Sequence, residues 1–376
     1  MFLALRELWF ARTRFLLMGT VVALVAVLMV ILSGLSSGLV ADGVSALQRT
    51  PVQAFAFAEG TRTDSAFSRS VVTEDQAAAW RARPDVADAA LLGNAIVNAR
   101  TASGTPVDLT LFGVEPGSFL EPAPAEGRPL TGDTDILVSD TVREAGIAVG
   151  DTIVLERLGT ELTVAGFTAD KRTFGHVDVA YLPLRTWQAI HAGTRAGELP
   201  DPRVYTEASV VAVRGVDDRL PDLAAGDAAA GTAAKTLEES FDASPGYSAE
   251  MMTMSLIKGF LYAISALVVG AFFSIWTVQR SRELAVLRAM GASTGFLLRD
   301  GLAQATVVLL ASVTVGVLLG LGLGSGLEGS GMPFALETGP VASGAAILVL
   351  LGLLGAAVAV VRVTRVDPLT ALGENR

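Results

Sequence analysis

Four stretches of the chain carry no charged side chain: 15–40, 259–278, 301–327 and 341–361. Each reaches the roughly 20 residues that a helix needs to cross about 30 Å of hydrocarbon. The pattern predicts four transmembrane helices, one near the N-terminus and three grouped near the C-terminus. The first apolar run is longer than the core of a secretory signal and no small-x-small site follows it cleanly, so it reads as an uncleaved anchor.

Between the first and second spans, residues 41–254 change character. Thr73-Glu-Asp-Gln76 has capping-box spacing and opens a helix to about Arg83. Alternating or β-rich runs follow at Ala95–Ala99, Val107–Val114, Asp135–Ser139, Thr152–Leu155, Glu161–Phe167, Val177–Leu182 and Ser209–Val213, with Gly and Pro between them. Arg219–Ser240 is Ala-rich and helix-like, though Pro221 and Gly226 make its early part irregular. The segment predicts a folded α+β domain. The fold class is therefore an α-helical membrane protein with four transmembrane helices, arranged one plus three, around a large α+β domain.

Charge sets the orientation. Arg6, Arg12 and Arg14 precede the first span, Arg280, Arg282, Arg288 and Arg299 lie between the second and third, and Arg362, Arg365 and Arg376 follow the fourth. The loop between the third and fourth spans has Glu328 and Glu337 but no Lys or Arg. The positive-inside rule puts both termini and the 280–300 loop in the cytoplasm and the α+β domain outside. A net charge of -10 thus conceals a basic inner face, suited to anionic headgroups, beneath an acidic exterior. It also argues against nucleic acid as a partner.

Several functions are excluded or demoted by what the residues lack. The chain has no cysteine, which removes disulfides, thiolate metal sites and Cys nucleophiles. The spans hold no ionisable group of the kind that proton- or sodium-driven transporters keep inside their helices; Lys258, at the edge, can snorkel. There is no phosphate-binding G-x-x-x-x-G-K-[S/T] loop. Energy for uphill movement must come from another polypeptide. Gly34-Leu-Ser36-Ser-Gly38 matches a nucleophile-elbow pattern but lies in an apolar helix, where Gly34 and Gly38 read better as small-residue helix packing. Gly316, Gly320 and Gly324 repeat that spacing. The two histidines, His176 and His191, read as satisfied or surface side chains.

The charged segment after the second span is helical by propensity, with Leu284, Leu287 and Met290 on one stripe and Gly291 suited to a C-cap. By itself it could be an amphipathic turn on the inner leaflet. However, Arg282-Glu-Leu-Ala-Val-Leu-Arg-Ala-Met-Gly-Ala292 resembles the coupling-helix motif of the FtsX-like, MacB-type permeases of ATP-binding-cassette (ABC) systems. Ala4-Leu-Arg-Glu-Leu8 resembles the amphipathic helix before their first span. Glu126-Gly-Arg-Pro-Leu130, Asp135-Ile-Leu-Val-Ser139 and Gly146-Ile-Ala-Val-Gly-Asp-Thr-Ile153 resemble their exterior signature, and Arg365-Val-Asp-Pro-Leu-Thr-Ala-Leu372 their tail.

The resemblance implies a non-enzymatic subunit of the plasma membrane. It would form a homodimer on two copies of a separate cytoplasmic ATPase, which would hold the ATP and magnesium; this chain would bind no cofactor of its own. Glu283, Leu287, Arg288, Met290 and Gly291 would dock in the ATPase groove, and closure would reach the exterior by mechanotransmission. The implied segments are a cytoplasmic amphipathic helix at 1–14, spans at 15–40, 255–279, 301–327 and 341–361, a coupling loop at 280–300, an outer loop at 328–340 and a tail at 362–376. Within 41–254, residues 41–125 and 201–254 would be membrane-proximal and 126–200 a β-rich insertion.

The compact chain looks most like the haem-exporting, HrtB-like and DevC-like branch. Tyr247, Glu250, Met251, Met252 and Met254, beside the second span, then become candidate substrate contacts, since Met adapts to flat apolar ligands. The resemblance equally allows a non-transporting signal transducer that activates an exterior partner such as a cell-wall hydrolase.

Overall fold

The computed structural model describes residues 12–198, 200–279, 286, 290–328 and 332–364. Helix α1 spans Arg12–Gln48. There follow β1 (Ala54–Ala58), α2 (Ala66–Arg69), β2 (Val72–Thr73), α3 (Glu74–Arg81), β3 (Val86–Thr101), β4 (Pro106–Val114), β5 (Pro124–Gly127) and β6 (Asp135–Val138). Next come β7 (Thr152–Leu155), β8 (Glu161–Thr168), β9 (Thr173–Phe174), β10 (Val177–Pro183), α4 (Leu184–His191), β11 (Glu207–Ala208), β12 (Val210–Gly215), α5 (Leu223–Ala230) and β13 (Thr232–Thr236). Helices α6 (Tyr247–Gln279), α7 (Thr294–Leu327) and α8 (Thr338–Thr364) complete the chain. It divides into two compact units, Leu39–Glu250 and Met1–Gly38 with Met251–Arg376.

In the helical unit, four helices among the described residues are long and apolar enough to cross a membrane. Both α1 and α6 outrun their charge-free stretches, to Gln48 and back to Tyr247. Lipid tails provide no hydrophobic drive between helices, so close backbone approach must hold them. Glycines allow it. A Cβ on Gly316 would lie 2.3 Å from Ala23 O and 2.6 Å from Ala26 Cβ of α1, and one on Gly355 of α8 would lie 2.5 Å from Ala266 O of α6. Phe15, Met18, Val22, Val269, Phe273, Leu309 and Leu348 fill the space between.

The other unit is built on a mixed sheet in the order β13-β1-β12-β3-β4-β10-β6-β8-β5, with β7 joining β3 to β8 and β9 pairing with β10. The β4–β10 and β6–β8 pairs are parallel and the others antiparallel. Period-two alternation separates two cores. In β1, Ala54 and Ala56 enter a core with Trp80 and Trp187, while Phe55 and Phe57 enter a second one with Phe67, Phe112 and Phe174. The second core is a chain of edge-to-face aromatic pairs, with Phe67 5.3 Å from Phe55 and 5.2 Å from Phe174.

The capping box opens α3 as expected, with Thr73 N donating to Gln76 Oε1 at 3.0 Å. The stretch Arg219–Ser240 is corrected. Its α-helical part is Leu223–Ala230, closed by the left-handed Gly231; β13 follows as an edge strand against β1, and a 3-10 turn begins at Glu239. The expected parts 41–125 with 201–254, and 126–200, share hydrogen-bonded sheet: β4 pairs with β10, and β3 with both β12 and β7.

Candidate functional site

The loop between α6 and α7 carries the docking residues expected from the sequence. Glu283, Leu287 and Arg288 lie outside the described residues. Met290 N donates to Val286 O at 3.0 Å, and Gly291 follows at φ +96°, the backbone expected of a C-capping glycine. Met290 is exposed, and Ser293 Oγ then caps α7 by accepting from Phe296 N at 3.2 Å.

The helices flanking this loop are braced by polar groups that sequence reasoning passed over. Trp276 Nε1 donates to Gln304 Oε1 at 3.3 Å, and Gln304 Nε2 donates to Asp300 Oδ2 at 3.0 Å. Gln304 is buried. Phe15 of α1 sets its ring edge-on to Trp276 at 4.8 Å, and Arg14 donates to Gln279. The signal was available in principle, since a glutamine inside an apolar span needs a partner.

Tyr247, Glu250, Met251 and Met254 follow the i, i+3, i+4, i+7 pattern along α6 and share a face; Met252 departs from it and is exposed. Tyr247 packs edge-on to Phe241 at 6.0 Å. Both Glu250 oxygens lie 3.1 Å from His176 Nε2, and Asp42 Oδ2 lies 2.9 Å from His176 Nδ1. His176 is therefore a satisfied side chain, though its partners come from two helices. His191 stacks on Trp187 at 4.6 Å, and burial pushes its pKa down. No group of three or more metal-ligating side chains occurs among the described residues.

The packing glycines have divided roles. Gly316 and Gly320 of α7 admit Ala23, Ala26 and Val30 of α1. Gly34 and Gly38, expected to pack against a helix, instead seat the Pro333–Phe334 segment: a Cβ there would fall 2.3 Å from the Phe334 ring or 2.2 Å from Pro333 O. Gly324 meets Phe334 and Leu336. The spacing signals close approach but does not specify whether a helix or a loop fills the notch.

Residues 255–368 match the family model described as FtsX-like permease C-terminal. End to end, the chain is 22% identical over 375 residues to a protein of Staphylococcus haemolyticus named putative hemin transport system permease protein HrtB, covering 99% of each. It is 23% identical over 381 residues to an uncharacterized ABC transporter permease of Mycobacterium tuberculosis, again covering 99% of each. Among solved structures, the periplasmic region of MacB from Actinobacillus actinomycetemcomitans aligns at 13% identity and TM-score 0.36, covering 50% of this chain and 90% of that one. The extracellular domain of the transporter YknZ from Gram-positive bacteria aligns at 14% identity and TM-score 0.34, covering 49% and 98%. Residues 255–368 are thus similar to the C-terminal region of FtsX-like permeases, and end to end the chain is similar to ABC transporter permeases.

Proposed function

We propose that the chain is the membrane subunit of an efflux pump that exports an amphiphile, with haem as the transported substrate. Two copies stand on two copies of a separate cytoplasmic ATPase, and ATP and magnesium are held there. The observation that carries the reading is the end-to-end match to a relative named as a hemin transport permease. The basic residues flanking the spans put the Met290–Gly291 loop in the cytoplasm and the sheet domain outside.

Mechanotransmission is the coupling that a continuous helix supports. α6 is continuous from Tyr247 to Gln279, next to the docking loop. Packed helices shift as units rather than deforming gradually, so a displacement delivered at the loop travels along α6. The substrate meets Tyr247, Glu250, Met251, Met252 and Met254. An acidic exterior does not attract an anionic amphiphile from solution, so haem enters sideways from the lipid.

The test is co-purification with the ATPase from haem-replete cells. A haem Soret band in the complex, and loss of both that band and haem resistance when Glu250, Met251, Met252 and Met254 are replaced together, are the expected results. A complex without haem whose hydrolysis responds only to an exterior protein would establish the signal-transducing alternative.

A further inference from the structure

Helix α1 breaks its ladder at Val44, whose backbone is non-helical at φ −143° and ψ 16°. The preceding carbonyl, Gly43 O, accepts instead from Gly175 N at 2.8 Å and from Ser244 Oγ at 3.3 Å. The β9–β10 hairpin is fastened to α1 here. Thr173 N donates to Ser45 Oγ at 2.9 Å, Thr173 Oγ1 donates to Ala41 O at 3.3 Å, and Lys171 pairs with Asp42 at 2.6 Å.

Gly175 and His176 form the two-residue turn between Phe174 and Val177, at φ +60° and +64°. Both central positions of such a turn lie in the left-handed region, which favours Gly and Asn. Histidine is less common there than glycine or asparagine, so turn geometry alone does not account for it.

Its ring does. Nδ1 meets Asp42 and Nε2 meets Glu250, and an ionised carboxylate can only accept hydrogen bonds. A neutral imidazole has one donor and would turn a lone pair toward one of the two carboxylates. Only the imidazolium donates to both. The imidazolium and Lys171 together balance the charge of the two carboxylates. Lys171 pairs with Asp42, Tyr247 lies beside Gly43, and Ile96 and Pro245 border Gly175 with apolar atoms.

We propose that His176 is a positioning residue, a protonated staple that joins the C-terminal end of α1 to the N-terminal end of α6 through Asp42 and Glu250. Deprotonation opens it, and so does any group that takes Glu250 from the ring. Glu250 belongs to the contact set proposed above, so a bound amphiphile would compete with His176. The staple itself does not depend on that reading, and its test uses no ligand.

The chain has no cysteine and two histidines, which gives clean backgrounds for both probes. With isotope-labelled histidine, the full-length H191Q variant in lipid nanodiscs should report, at about pH 5.5, a doubly protonated His176 ring with both N–H groups hydrogen-bonded to carboxylates rather than to water. Spin labels at Q48C and A249C, in labelled chain diluted with unlabelled, should give one narrow distance that broadens about twofold or more at about pH 9. H176N keeps the left-handed turn but loses the ring, so it should give the broad distribution at both pH values, and E250Q should broaden it as well. A singly protonated ring at the acidic pH would overturn the proposal. So would H176N or E250Q distances as narrow and as pH-dependent as the parent's. Haem titration of the same samples reports separately on the substrate reading.

Discussion

The Arg128 guanidinium grips both oxygens of Asp135, whose side chain is only 4% exposed. Thr131 N at 3.0 Å and Gly132 N at 2.5 Å donate to the same carboxylate. The contact joins two of the sequence motifs quoted above, Glu126–Leu130 and Asp135–Ser139, at the start of β6. Nearby, a Cβ on Gly127 would fall 2.2 Å from Ala165 O, and Gly127 itself sits at φ +88°, so this corner of the sheet admits only glycine.

Asp135→Asn should lower the thermal stability of the purified chain by about 2–3 kcal/mol, because it removes the charge from a buried carboxylate that accepts several hydrogen bonds, one pair of them from a guanidinium. Arg128 and the two backbone N–H groups hold the Asp135 carboxyl well below the usual carboxylate range. The sign follows. A carboxyl depressed in the folded state contributes stability that is complete above the unfolded value, about 3.9, and is lost as pH falls below it. The difference between parent and variant in melting temperature should therefore be full near neutrality and shrink on acidification. A constant difference down to strongly acid pH would contradict the assignment.

Two buried tryptophans rest on missing side chains. A Cβ on Gly93 would lie 2.2 Å from Trp187 Cδ2, and one on Gly226 would lie 2.0 Å from Trp80 Cη2. Trp80 is fixed besides by donating Nε1 to Thr232 Oγ1 at 3.0 Å. Gly93→Ala and Gly226→Ala should each destabilise the sheet unit by about 1–3 kcal/mol through overpacking. Gly259→Ala in α6, which meets nothing within 4 Å, is the matched control and should melt like the parent.

These contacts mark the limit of what the sequence makes legible. The charge-free spans, the Thr73 capping box and strands such as Thr152–Leu155 emerge from period and composition because one local signal decides each. β1 is different. Its Ala-Phe-Ala-Phe-Ala run alternates in size between two buried faces rather than between core and water, so it lacks the usual polar marker. The Ala-rich segment around Thr232 has helical propensity, but the left-handed Gly231 and the open edge of β1 turn it into strand β13. Asp42, His176 and Glu250 are far apart in sequence, and only the kink at Val44 and the β9–β10 turn bring them together.

Helix packing gives a third expectation. Gly316→Val would drive two methyl groups into Ala23 O and Ala26 Cβ of α1, and neither a backbone carbonyl nor a helix-borne methyl can move aside cheaply. The variant should be recovered from membranes in much lower monodisperse yield. Gly322→Val, on the same helix but facing open space, should be recovered normally. Equal yields would mean that α1 and α7 are not held by this notch.

The brace beside the coupling loop leads to the last expectation, which separates docking from transmission. Met290 and the neighbouring Glu283, Leu287 and Arg288 are proposed to hold the ATPase, whereas Trp276 and Gln304 hold α6 to α7 behind them. Interhelical hydrogen bonds in membranes are worth roughly 0.6–2 kcal/mol. Removing this one should leave the helices inserted but let the two ends of the loop move independently. Gln304→Leu and Trp276→Phe should therefore co-purify with the ATPase in parental amounts while substrate stimulation of hydrolysis falls several-fold. Leu287→Asp should fail earlier, losing co-purification itself. If Gln304→Leu loses the ATPase as completely as Leu287→Asp, the brace belongs to the docking surface. If it keeps full stimulation, the motion does not pass through the Trp276–Gln304 contact.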